Sequence, residues 1–210
     1  MGYEQSGYDN GLGAVVNINP TQGNSTVVHT PGGKSAELKS QFKVKFAAAS
    51  LYTGSFGSLV GMNGAKIKFG RSFASRPFAL HGFFQYAPVA VTHIGDNQPA
   101  GTLSKGDMDV CSIYIALAKE SYTVDNTKAE TFIQFKTDNN IIAYGELPLK
   151  ECVSTNGTWK EFTIDLEYKT LEKPNDMYLI VVASASKYGD YFTGGDGSIL
   201  YVDDFELIYD

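Results

Sequence analysis

Residues 161–168 read EFTIDLEY, in which Phe162, Ile164, Leu166 and Tyr168 alternate without interruption with acidic or hydroxyl side chains. A period of two puts those four on one face and Glu161, Thr163, Asp165 and Glu167 on the other. This is the pattern of an antiparallel strand with one wet face. QFKVKF at 41–46 repeats it, with Phe42, Val44 and Phe46 inward and Gln41, Lys43 and Lys45 outward. Similar logic marks strands at 14–18, 26–29, 66–69, 78–86, 110–118, 131–136, 141–146, 178–185 and 198–209. Helical periodicity with caps is nearly absent; a turn near 35–39 or 51–60 is the most it allows. Many strands parted by Gly, Asn and Asp turns predict an all-β fold, a two-sheet antiparallel β-sandwich of the jelly-roll kind. No repeat or Pro- and Ser-rich linker divides the chain, so residues 1–210 are expected to form one domain.

The composition supports a packed core. Hydrophobic residues make up 43%, with 13 Tyr, 13 Phe and 22 Gly, which argues against disorder. Seventeen basic against 23 acidic residues leave a net charge of −6, which disfavours nucleic acid and anionic membranes as partners. No apolar run is long enough to predict a membrane span. The opening MGYEQSGYDN shows no basic-then-apolar leader and reads as a trimmed or mature start. Cys111 and Cys152 lack metal-type spacing; buried free thiols are the simpler expectation, with a disulfide left open.

Some strands carry polar and aromatic groups on the face that should be plain. In PFALHGFFQYAP, Phe78, Leu80, Phe84 and Tyr86 share one side, and His81, Phe83 and Gln85 the other. In DVCSIYIALA, Cys111, Ile113, Ile115 and Leu117 read as buried, while Ser112 and Tyr114 face away. Rings interleaved with hydrogen-bonding groups suit a sugar, with its apolar C–H face and hydroxyl edge. The competing reading is a second face buried by loops folding over the sheet.

Catalytic motifs are poorly advertised. His29, His81 and His93 are scattered, with no zinc spacing, no nucleophile elbow and no phosphate loop. The pairs Asp107/Asp109 and Asp165/Glu167 have strand spacing compatible with the roughly 5–9 Å that two glycosidase carboxyls need, but turn chemistry explains the first pair better and a solvated strand face the second. In YVDDFEL, Asp203 and Asp204 should point to opposite sides. One would then face inward, and a structural calcium shared by Asp203 and Glu4 would relieve its burial; no other cofactor is expected.

The segments FGRSFASRPFALHGFFQYAP, DMDVCSIYIAL, IIAYGEL, TWKEFTIDLEY and LIVVASASKYGDYFTGGDGSILYVDDFELIYD resemble the putative carbohydrate metabolism domain family of secreted and surface proteins from gut-type bacteria. The likeness runs from about residue 51 to the end. It implies a jelly roll akin to galactose-binding folds and carbohydrate-binding modules, and an oligo- or polysaccharide ligand. It also implies an extracellular, cell-surface or periplasmic location and a further region upstream. The matching motif residues are Arg76, Tyr86, Asp109, Ser186, Lys187, Asp190 and Phe192. On chemical grounds Arg76 and Lys187 would donate to sugar hydroxyls or a uronate. Asp109 and Asp190 would accept from hydroxyls, and Tyr86, Tyr188 or Phe192 would stack on the ring. The expected function is glycan recognition in one recess built by these residues with His81 and Phe83. The alternatives are a glycoside hydrolase or polysaccharide lyase using Asp109 and Asp190 in the same recess, and a structural or adhesive surface module.

Overall fold

The segment EFTIDLEY is two strands, and the break between them positions the rest of the molecule. In the computed structural model, which describes residues 21–61, 63–170 and 176–209, β13 (Lys160–Asp165) pairs with β9 (Ala79–Ala87) in one sheet. After Leu166 the chain crosses over, and β14 (Glu167–Tyr168) pairs with β12 (Ile141–Glu146) in the facing sheet. The alternation survives the crossing because inward residues of both sheets point into one shared core. Gly145 lies at the crossing; a Cβ there would sit 2.2 Å from the Asp165 carbonyl oxygen, so a side chain is excluded.

The first sheet runs β1 (Thr21–Asn24), β2 (Ser35–Lys39), β16 (Ile199–Ile208), β9, β13, all antiparallel. The second runs β14, β12, β10 (Ser112–Ala118), β15 (Met177–Ser184), β5 (Ser50–Tyr52), with β8 (Arg71–Phe73) also paired to β15. Leu38, Leu80, Phe84, Leu200 and Val202 face Ile113, Ile115, Leu117, Val181 and Ala183 across the sandwich, all buried. No α-helix occurs among the described residues, and the architecture is the expected all-β jelly roll.

A third layer was not foreseen. β6 (Gly54–Val60), β7 (Gly64–Phe69) and β11 (Tyr122–Asp125) form a small sheet. Phe69 and Val124 from it pack with Tyr52, Ala116, Ala118, Ile141, Ile180 and Val182, the outward side of the second sheet. Both faces of β10 are therefore covered, which is why Ser112–Ala118 reads as a nearly continuous apolar run.

Other expectations are corrected. QFKVKF is a minimal hairpin of β3 (Gln41–Phe42) and β4 (Phe46–Ala47), so the chain turns at Lys43–Lys45 and only Phe46 is buried. Phe42 and Val44 stay about 40% exposed, Phe42 lying against His93 at 4.0 Å between ring centres. Residues 26–29 form bends, and 131–136 a 3₁₀ turn and loop, because Thr131 Oγ1 is tied to the Asp125 and Lys128 carbonyls instead of to a neighbouring strand. Segments 35–39 and 51–60, read as possible turns, are largely strand. Segment 14–18 lies outside the described residues. In β16 a bulge at Asp204 (φ 51°) shifts the register between Asp203 and Glu206, so that neither aspartate points into the core; Phe205 turns inward against Phe162 instead.

Candidate functional site

The loop after β15 is fixed before it does anything else. Lys187 N–H donates to the Val110 carbonyl at 2.8 Å, and Gly197 N–H to Ser40 at 2.9 Å. Thr92 and His93 N–H groups both donate to the Gly194 carbonyl. The centre of this fastening is Asp109, 1% exposed. Its Oδ2 accepts from Ser186 Oγ (2.7 Å), Gly195 N–H (2.8 Å) and Ser198 Oγ (2.9 Å), and Oδ1 accepts from Val110 N–H (2.8 Å). Burial raises the Asp109 pKa, and the four donors oppose that rise. Asp109 and Ser186 are thus the loop's anchor, with Ser186 Oγ also 2.8 Å from Ser40 Oγ. Gly189 meets the chain at Ala48, where an added Cβ would sit 2.1 Å from the alanine Cβ.

So held, the short 3₁₀ turn Gly189–Tyr191 overhangs the outward side of the second sheet, at the end the third layer leaves open. Between them is a cleft of about 260 Å³, lined by Tyr114, Phe132, Phe135, Tyr144, Tyr188 and Tyr191 among others. All six residues are half-buried. Phe135 stacks on Tyr144 at 4.7 Å and 12°, and Phe132 meets Tyr191 edge-on at 4.9 Å. A second chamber of about 110 Å³ continues under the loop toward Phe46, Ser184 and Phe192. Ser112, Tyr114, Lys187 and Asp190 line both chambers.

The charged groups of the cleft differ in their surroundings. Lys187 Nζ donates to Glu146 Oε2 at 3.1 Å, and Lys136 Nζ approaches Oε1 at 4.0 Å. Burial works against the Glu146 charge, but Lys187 and the Tyr144 hydroxyl outweigh it and hold the carboxyl below its ordinary range. Asp190 has no such help. The residue is exposed at the cleft opening, although neighbouring protein crowds its carboxyl, and it takes no hydrogen bond or ion pair from any described residue. Desolvation pushes its pKa up to about 6. The Tyr114 phenol lies near both carboxylates, and burial with their charge raises its pKa well above the ordinary value.

The cleft gathers part of the expected set. Lys187, Tyr188, Asp190 and Phe192 converge on it, with Ser186 buried at the back. Lys45 Nζ sits 4.3 Å above the Phe192 ring. Five residues expected there stand elsewhere. Tyr86 is 1% exposed in the core, its hydroxyl donating to the Ala185 carbonyl at 2.8 Å; inward register on β9 leaves it no ligand-facing side. Asp109 has its oxygens fully engaged in the loop anchor, so Asp109 and Asp190 do not form a paired-carboxyl site. Arg76 belongs to the far end of the sandwich, where its guanidinium donates to the Thr170 carbonyl at 3.0 Å and lies 4.1 Å over the Tyr168 ring. β15 sets that distance: Met177 pairs with β8 near Arg76, whereas Ser184 leads to the cleft loop, and eight extended residues span roughly 23 Å.

His81 and Phe83 occupy the outer face of the first sheet, with the sandwich between them and the cleft. There His81 Nε2 lies 2.8 Å from Glu161 Oε1, and His29 stacks on Phe83 at 3.5 Å. On the same sheet, Asp203 accepts the N–H of His29 (2.9 Å, Oδ2) and of Asp204 (3.0 Å, Oδ1); Glu4 lies outside the described residues. Asp107 accepts from Ser104 N–H at 2.7 Å, an ordinary turn contact.

Tyr144, Glu146, Phe132, Phe135 and Tyr191 were not anticipated. IIAYGE did carry a signal, since Tyr144 and Glu146 share one side of an otherwise buried strand. Phe132 and Phe135 carried none, being placed by a loop.

Two solved structures share the architecture. A protein of Bacteroides thetaiotaomicron VPI-5482, described as a putative glycoside hydrolase, is 23% identical with a TM-score of 0.74, the match covering 98% of this chain and 62% of that one. A Bacteroides vulgatus ATCC 8482 protein, also described as a putative glycoside hydrolase, is 24% identical with a TM-score of 0.71, covering 98% and 84%. At these identities the likeness is one of fold, and the chain spans less than two thirds of the first protein's length. A search of curated proteins gives no match. The family model described as the putative carbohydrate metabolism domain matches residues 5–208, nearly the whole sequence, and the chain belongs to that family.

Proposed function

We propose that the domain binds a glycan in the cleft beneath the Gly189–Tyr191 turn, as a recognition unit in polysaccharide use. One observation carries the reading: the Asp190 carboxylate stands without a protein donor in a recess walled by half-buried aromatic rings. A sugar supplies what both lack, an apolar face for the rings and a hydroxyl edge for the carboxylate. The volume, near the small end of the ~300–1,000 Å³ usual for ligand pockets, suits one or two sugar rings held at the wall. Family membership and the descriptions of the two Bacteroides proteins support a carbohydrate context.

A glycan array of plant and host oligosaccharides, followed by calorimetry, tests this. Asp190→Ala should weaken the best binder by roughly 10-fold or more through loss of a charged hydrogen bond. The reading fails if no glycan binds at sub-millimolar concentration, or if the variant binds as well as the parent.

A second reading has its own support. Asp190, held toward its acid form, and Glu146, held ionised by Lys187, are carboxyls of unlike protonation in one cleft, the division of labour that glycoside hydrolysis uses. Release of reducing ends from an array binder, lost in both Asp190→Asn and Glu146→Gln, would establish it.

A further inference from the structure

Two sulfur atoms lie together behind the cleft floor. Cys111 immediately precedes β10, and Cys152 follows the 3₁₀ turn Leu149–Glu151 beyond β12; both are 0% exposed. The backbone brings them close, because Leu147 N–H donates to the Ile113 carbonyl at 2.8 Å. Cys152 Sγ lies 3.7 Å and 3.5 Å from the Leu147 and Pro148 carbonyl oxygens. Both thiols belong with Tyr86 to one buried core cluster, and each thiol is a close enough neighbour to perturb the other. Two buried thiols in one core, with no other cysteine in the chain, have a single possible intramolecular partner each.

We propose that Cys111 and Cys152 are a disulfide-forming pair, joined by thiol–disulfide exchange while the chain folds in an oxidising medium. The oxidant is a disulfide of the glutathione class. The thiolate of one cysteine attacks one of its sulfurs and expels a glutathione thiolate, leaving a mixed disulfide. The other cysteine, giving up its proton, then attacks the first cysteine's sulfur and expels the second glutathione. Two protein thiols are oxidised, one small disulfide is reduced to two thiols, and the two protons end on the departing thiolates. Timing follows from burial, since no oxidant reaches either sulfur in the finished core.

The bond would tie the start of β10, which carries Ser112 and Tyr114, to the segment leaving β12, which carries Tyr144 and Glu146. It would fix the cleft floor from behind, whatever the cleft holds, and close a loop containing β11 and the aromatic turn at Phe132–Phe135.

The test uses the unmodified chain. Protein unfolded in reducing denaturant is refolded either in a reduced/oxidised glutathione mixture or with excess dithiothreitol. Free thiols are alkylated under denaturing conditions, and the digest is read by mass spectrometry. The glutathione sample should be lighter by about 2 Da before alkylation and give one peptide pair linked through positions 111 and 152. Its melting temperature should exceed that of the reduced sample by on the order of 5–10 °C. Recovery of both cysteines alkylated separately, stable glutathione adducts, or cross-linked dimers from the glutathione refold would each overturn the proposal. No variant is needed, so a folding defect cannot imitate either result.

Discussion

Replacing Asp109 by alanine separates an anchor from a ligand contact. The carboxylate satisfies two backbone N–H groups, of Gly195 and Val110, and two hydroxyls, of Ser186 and Ser198. The hydroxyls can turn elsewhere; Ser186 already has Ser40 Oγ at 2.8 Å. The amides cannot, and each buried donor left unpaired costs about 1–3 kcal/mol. Removing a carboxylate whose own burial is unfavourable returns part of that. The net expectation is a loss of about 2–4 kcal/mol, or on the order of 5–15 °C in melting temperature for a chain of 210 residues. Urea unfolding followed by tryptophan fluorescence measures it, because Trp159 is the sole indole. Asp109→Asn, which keeps an acceptor oxygen, should lose less. A change below about 1 kcal/mol together with abolished glycan binding would refute the anchor role and return Asp109 to the ligand.

Two further outcomes follow from the geometry. Arg76→Ala should leave glycan affinity unchanged, the residue being at the far end of the sandwich, and should lower stability by about 1–2 kcal/mol through loss of the Tyr168 and Thr170 contacts; a drop in calorimetric affinity with stability intact would contradict the placement. Asp190, with its pKa raised from the ordinary 3.8 to about 6, destabilises the fold where it is ionised. Its contribution is therefore most favourable below pH 3.8 and is lost as pH rises through 6. Urea midpoints measured from pH 3 to 8 should lose this component of their slope in Asp190→Asn. An identical pH profile in parent and variant would show that Asp190 titrates normally.

The closing segment shows how far motif reading reached. In SKYGDYF, Lys187, Tyr188 and Asp190 are legible as neighbours in one charged, glycine-bearing loop, and the fold brings all three to the cleft. Asp109, a motif residue of the family resemblance expected to accept from sugar hydroxyls, instead has both oxygens engaged by protein donors. Whether a carboxylate faces ligand or fills a buried donor set depends on residues up to 89 positions away, such as Ser198. Tyr86 was misplaced similarly: its inward register was legible on β9, and only its assignment to a ligand ignored it.

By itself the sequence determined the class of fold. Period-two alternation is a local property, and burying one face of many short strands leaves a two-layered antiparallel body as the solution. Tertiary structure alone decided which outward face became a cleft. The covering of the second sheet by β6, β7 and β11, the crossing at Leu166, and the loop that carries Phe132 and Phe135 all depend on contacts between segments remote in the chain. Two residues one pleat apart look alike along a strand; on β10 the same spacing separates Ile113, in a closed core, from Ser112 and Tyr114, at the edge of a cleft.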